Sequence, residues 1–194
     1  MDIILASTSK RRREILASCG IRHRVVASRA KEDMKISRIP QRVAMINAEL
    51  KAEKVAGRFD TGYVIGADTV VLLDGDIIGK PRDARHAREM LRRMAGRTIS
   101  VYTGLCVIDA KKRKKAMGHE KSIVRVKDIP KEDMERYFKL LGPYDKAGGF
   151  SIEGAGSFIF DDIKGSYFNV LGLPMAKLKE LFDKLGFDIL SAVS

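Results

Sequence analysis

Hydroxyls and cations gather at one junction near the N-terminus: Ser7, Thr8 and Ser9, then Lys10, Arg11, Arg12 and Arg13, follow the apolar Ile3-Ile4-Leu5-Ala6 and open an amphipathic helix. A strand-to-helix turn of this kind points free backbone N–H groups and the positive end of a helix dipole at one spot, a favourable seat for phosphate. The four basic side chains deepen that potential, although a basic run on a first helix is also an ordinary solvated face. A second candidate, Asp68, follows the apolar Val64-Ile65-Gly66-Ala67 and precedes Val70-Val71. A carboxylate there is costly to desolvate unless it meets a cation, either in a structural ion pair or as a base or metal ligand. Lys80, held by Pro81 in extended backbone, is able to project inward.

Two glycine-rich stretches fail as nucleotide loops. Gly75-Asp76-Ile77-Ile78-Gly79-Lys80-Pro81 has too few residues between its glycines and no Ser or Thr after the lysine, so it is not a Walker A loop. Gly148-Gly149 and Gly154 with Gly156 lack the strand–GxGxxG–helix setting of a dinucleotide site. Their contribution is backbone freedom.

These groups must be positioned by elements that the hydrophobic pattern outlines. After the first strand and helix, His23 to Ser28 reads as a second strand. Ile39-Pro40 opens a helix to about Ala56, with Val43, Ile46, Leu50 and Val55 at roughly helical spacing. On that helix Lys51 reads equally well as exposed. Tyr63 to Leu73 is a near-continuous apolar run, the mark of a strand covered on both faces, and Asp74-Gly75 turns it into a hairpin with Asp76 to Ile78. Asp83 caps a helix carrying Ala87, Met90, Leu91 and Met94. Two alternating stretches, Thr98 to Asp109 and Met117 to Val126, flank the basic turn Lys111-Lys112-Arg113-Lys114-Lys115. Pro130 introduces a helix with Met134, Tyr137, Phe138 and Leu141. Then come a loop over 142–156, a strand from Ser157 to Phe160 and a closing helix from Met175 to Leu185. The interleaving predicts an α/β fold with a mixed sheet.

The 194 residues suit one domain, or two small lobes around a cleft. With 45% hydrophobic and 32% charged residues, the chain is neither disordered nor membrane-spanning. No secretory leader is recognisable, so a cytoplasmic location is expected. Cys19 and Cys106 show no metal or redox spacing and read as reduced packing residues. The net charge of +12 favours polyanions, but without Trp and with few other aromatics the chain lacks the interleaving that stacks bases, so nucleic acid is the less favoured partner.

Six blocks resemble, in order, those of the Maf family of nucleotide pyrophosphatases. They are LASTSKRRREIL (residues 5–16, against a usual LAS-x-SPRR-x-ELL), Lys51-Ala52, Gly66 to Val71, Gly79-Lys80-Pro81, Lys146 to Gly154, and Asn169 to Pro174. Lys10 stands where the family usually has Pro, and Ile99-Ser100 depart from its His-containing stretch. The resemblance spans nearly the whole chain and implies one domain over residues 1–194: a long twisted mixed β-sheet with flanking helices, two lobes around a cleft, inosine triphosphatase-like. It implies a housecleaning enzyme that hydrolyses nucleoside triphosphates to monophosphate and pyrophosphate with a divalent metal, Mg²⁺ or Mn²⁺. The resemblance also allows a homodimer.

By the same resemblance Asp68 falls at the position of the proton acceptor for the attacking water. Asp68 and Glu32 are the candidate metal ligands, with Glu120 a weaker one, while Ser7, Arg11, Arg12, Lys51 and Lys80 bind the phosphates. Three positions select the base. The dTTP/UTP branch carries Arg, Thr and Gln there, and the 7-methyl-GTP branch an aromatic residue, Gln and Glu; this chain has Arg11, Thr69 and Glu153. Two of the three favour dTTP, UTP and modified pyrimidine triphosphates. The alternatives are 7-methyl-GTP hydrolysis and a non-enzymatic basic protein binding nucleic acid or a cell-division partner.

Overall fold

The structure, a computed structural model, describes residues 1–142, 144 and 146–193. Pro143 and Asp145, within the expected 142–156 loop, lie outside the described residues. The strands are β1 (Ile3–Leu5), β2 (Arg24–Val25), β3 (Tyr63–Leu73), β4 (Asp76–Ile78), β5 (Thr98–Asp109), β6 (Lys114–Val126) and β7 (Phe160–Lys164). They form one mixed sheet in the order β2-β1-β3-β5-β6-β7, with β4 also on β3. The pairs β1–β2 and β1–β3 are parallel and the others antiparallel. The helices are α1 (Lys10–Ser18), α2 (Pro40–Ala56), α3 (Ala84–Met94), α4 (Met134–Leu140), α5 (Tyr167–Val170) and α6 (Met175–Lys184).

One edge of β3 is shared by two short strands. β1 reaches it as far as Leu5 opposite Ile65, and β4 takes it up again with Ile78 opposite Val71. Among the described residues, 66–70 therefore have no strand partner on that edge, although β5 runs the full length of the other. The same break separates two main cores. Ile65, Ala67, Leu105 and Val107 pack with α1 and α6 on one side of it, while Val71, Leu73, Val101 and Val124 pack with α3 and α4 on the other.

Helix α2 crosses the sheet at very close range. A Cβ added at Gly66 would lie 2.1 Å from the Ala48 carbonyl oxygen, and one at Gly104 2.3 Å from the Ala44 carbonyl carbon. The buried face of α2 is accordingly small and partly polar: Ala44, Asn47, Ala48, Lys51 and Ala52, with Val43 and Val55. The expected stripe is corrected here, since Leu50 is 39% exposed and Ile46 only half-buried.

Three further expectations change. The second strand covers only Arg24–Val25; Val26 adds one more bond to Leu5, and Arg29 then enters the left-handed region (φ 49°) and turns the chain away. The expected strand from Ser157 to Phe160 is a 3₁₀ turn over Gly154–Phe158, and β7 begins at Phe160. The basic run 111–115 is a turn only as far as Arg113: Lys114 and Lys115 belong to β6, where Lys115 pairs with Glu49 and Glu53 of α2.

Candidate functional site

The break in the β3 edge leaves the Ala67 carbonyl facing cations instead of a strand. It accepts hydrogen bonds from an Arg12 terminal nitrogen at 2.9 Å and from Lys51 Nζ at 3.3 Å. Both side chains are buried, Arg12 rising from α1 and Lys51 from α2. Arg12 also donates through Nε to the Gly172 carbonyl (2.8 Å), to Thr69 Oγ1 (3.0 Å) and to Ser7 Oγ (3.4 Å). Four of its five N–H groups are thus committed within the protein, so it serves chiefly to tie α1, β3 and the turn after α5 together. Burial lowers the guanidinium's proton affinity, and the charges of Asp68 and Glu32 oppose that change.

Next along β3, Asp68 is 4% exposed and faces α2. Its Oδ1 lies 2.7 Å from Lys51 Nζ, and its Oδ2 accepts from Asn47 Nδ2 at 3.3 Å. Lys51 Nζ also lies 2.7 Å from Glu32 Oε1, so one ammonium bridges the two carboxylates. Partial burial works against the Glu32 anion, but the charge and hydrogen bond of Lys51, helped by Lys80 and Arg12, hold its carboxyl below the usual range. Asn47 had no signal of its own in the sequence. Its spacing four residues before Lys51 places it on the same helix face, and it also exchanges bonds with the Asp33 backbone, fixing the loop that carries Glu32.

Two of the three residues expected to select the base, Arg11 and Glu153, meet across the cleft. Arg11 Nε lies 2.6 Å from Glu153 Oε2, and an Arg11 terminal nitrogen donates to Ser151 Oγ at 2.6 Å. Ser151, missed in the sequence, also accepts from the Glu153 backbone N–H and so stiffens the segment that carries both partners. Thr69 points to the opposite face of β3 from Asp68, toward Thr103 of β5 at 3.0 Å. Because the edge is open at this point, groups from both faces reach one space.

That space is a cavity of about 920 Å³. Ser7, Arg11, Arg12, Glu32, Lys51, Asp68, Thr69, Lys80 and Glu153 all line it, so these nine expected site residues are brought together. Lys80 is exposed at its edge, and Lys10, Arg29 and Lys146 add further positive charge. Glu120, on β6 opposite Thr103, is not among the lining residues, which removes it as a candidate. Among the described residues no group of three or more His, Cys, Asp or Glu could hold a metal. The Glu32–Asp68 pair nonetheless converges on one cation, and a magnesium-type ion bound by one or two carboxylates plus phosphate oxygens and water needs no more from the protein.

A mixed sheet whose open edge frames a cationic cleft, with a buried carboxylate among the cations, defines an α/β protein whose cleft has the charge to take an anionic ligand. The model of the Maf family, described as Maf-like protein, matches residues 2–185, and the chain belongs to that family. It is 38% identical over 190 residues to a dTTP/UTP pyrophosphatase of Dictyoglomus thermophilum, covering 97% of this chain and 98% of that protein. It is 40% identical over 184 residues to a dTTP/UTP pyrophosphatase of Clostridioides difficile, covering 95% of each. The solved Ham1 protein of Staphylococcus aureus aligns with 66% of this chain and 73% of its own at 13% identity and a TM-score of 0.48. Among the described residues no helix is long and apolar enough to cross a membrane.

Proposed function

We propose that this chain, acting as one domain, hydrolyses dTTP and UTP, and related pyrimidine triphosphates, to the nucleoside monophosphate and pyrophosphate. The observation that carries the reading is the convergence of Asp68, Lys51 and Glu32 in a cleft with five further cationic or hydroxylic candidates, in a chain alike over nearly its whole length to proteins named for this activity.

Asp68 takes the proton of a water attacking the α-phosphate, and its two oxygens are oriented for this by Lys51 and Asn47. Lys51, Lys80 and Arg11 supply charge to the triphosphate, Ser7 a hydroxyl, and Arg12 its one uncommitted N–H. Glu32 and Asp68 would hold a divalent cation, Mg²⁺ or Mn²⁺, which supplies neutralisation of the charge on the phosphate oxygens. Arg11 and Thr69 read the base, with Glu153 ion-paired to Arg11 instead of presented alone.

The test is pyrophosphate release by the purified protein from dTTP, UTP, CTP, GTP and 7-methyl-GTP, with Mg²⁺ and with Mn²⁺. Faster turnover of dTTP and UTP is expected. A preference for 7-methyl-GTP would move the protein to the other branch, and salt-sensitive nucleic-acid binding with no turnover would refute the enzymatic reading.

A further inference from the structure

Thr103 is completely buried in the middle of β5, away from the cavity, yet its hydroxyl is joined to a residue in the cavity wall. Its Oγ1 lies 2.9 Å from the Asn169 carbonyl oxygen and 3.0 Å from Thr69 Oγ1. Two oxygens at these distances repel unless a hydrogen lies between them, and a carbonyl oxygen can only accept. The Thr103 hydrogen must therefore point at Asn169, and the contact with Thr69 must be bridged by the Thr69 hydrogen. Arg12 meanwhile donates to the same Thr69 oxygen at 3.0 Å. Thr69 is left with no hydrogen for the cleft and one free lone pair.

We propose that Thr103 sets the polarity with which Thr69 meets the base: the site accepts a ring N–H, the N3–H of uracil or thymine, and disfavours the bare N3 of cytosine. This rests on the pyrimidine triphosphate reading above. With a ring carbonyl of the base on the Arg11 guanidinium, uracil brings N3–H to the Thr69 lone pair, whereas cytosine in the same pose sets two lone pairs against each other. A polar site that leaves a group unpaired in this way discriminates far more strongly than a difference in apolar contact. Thr103 touches no substrate; it is a positioning residue acting through Thr69.

The experiment compares kcat/KM for UTP, CTP and N3-methyl-UTP on wild type, Thr103→Ser and Thr103→Val. Wild type is expected to favour UTP over both others by at least roughly tenfold. Thr103→Ser keeps the relay and should keep the ratios. Thr103→Val frees the Thr69 hydroxyl to turn outward and should shrink the UTP/CTP ratio severalfold, whereas a packing role alone would lower both substrates alike. An unchanged ratio in folded Thr103→Val overturns the proposal. So does hydrolysis of N3-methyl-UTP by wild type as fast as UTP, a result that needs no variant to fold. A wild type inactive on every triphosphate is a distinct result, which defeats the pyrophosphatase reading and this inference with it.

Discussion

Lys51 Nζ lies 2.7 Å from Asp68 Oδ1 and 2.7 Å from Glu32 Oε1, so a lysine from α2 holds the carboxylate of β3 and that of the loop after β2 on a single charge. The two members of the inner pair differ in what their loss leaves behind. Asp68→Asn leaves Lys51 paired with Glu32, so the fold should survive while kcat falls at least about a hundredfold. Lys51→Met leaves Asp68 buried with only the Asn47 amide and should cost about 3 kcal/mol of stability as well as activity. Thermal melts beside pyrophosphate-release rates check both, and near-normal turnover by folded Asp68→Asn would sink the assignment.

Glu32 gives the site a pH signature. Its carboxyl is held below the ordinary range despite partial burial, chiefly by Lys51. A depressed folded value means that the contribution to stability is complete above the unfolded value of about 4.3 and fades as pH falls through the folded one. Glu32→Gln should therefore be less stable than wild type at neutral pH, and the gap should close in acid below about pH 4. Because Glu32 is partly solvated, the gap should be modest. Melting both proteins across that range decides it, and a gap that widens in acid would refute the linkage.

The seat of α2 should be as sensitive as the chemistry. Gly66→Ala and Gly104→Ala would each drive a methyl group into α2 backbone, at 2.1 Å and 2.3 Å, where no side chain can swing aside. Each should cost about 3 kcal/mol. Any folded variant should also lose turnover, because lifting α2 moves Asn47 and Lys51 away from Asp68. Full activity at reduced stability would show that the close approach serves packing alone.

Arg12 and Lys80 should separate into two kinds of effect. Arg12→Lys cannot reproduce planar bonds to the Ala67 and Gly172 carbonyls together and should lose about 3 kcal/mol. Lys80→Ala, at an exposed position, should leave the melting temperature unchanged and weaken competition by pyrophosphate more than by nucleoside. Equal inhibition by pyrophosphate in wild type and Lys80→Ala would place that side chain outside the site.

Glu153 is the position at which the residues proposed to select the base disagree, and its carboxylate already lies 2.6 Å from Arg11 Nε. With that anion engaged by Arg11, Glu153→Gln should retain or sharpen the preference for dTTP and UTP, since an amide still accepts from Arg11 and adds a donor. The comparison is kcat/KM for dTTP, UTP, GTP and 7-methyl-GTP on both proteins. A wild-type preference for 7-methyl-GTP that collapses in Glu153→Gln would overturn the pyrimidine reading.

Local composition determined a good deal of this protein. The apolar run of β3, the hairpin at Asp74-Gly75, the cap at Asp83 and the hydroxyl-and-cation junction before α1 each follow from neighbours a few residues apart, and each is where the sequence puts it. The order of motifs was enough to nominate nine of the residues that line the candidate site, though neither Asn47 nor Ser151 beside them. Only the tertiary structure decided what those residues do to one another. A hydrophobic pattern weighs large side chains and so favoured Ile46 and Leu50, but the face of α2 that turns inward is set by the missing side chains of Gly66 and Gly104 on strands distant in sequence. That choice buried Lys51 and Asn47 against Asp68. The break between β1 and β4 is likewise a property of two short strands meeting a long one, and no local window contains it. Nor does spacing along the chain reveal the direction of the Thr69–Thr103–Asn169 relay, because hydrogen-bond polarity is fixed only when oxygens from separate elements come within 3.0 Å.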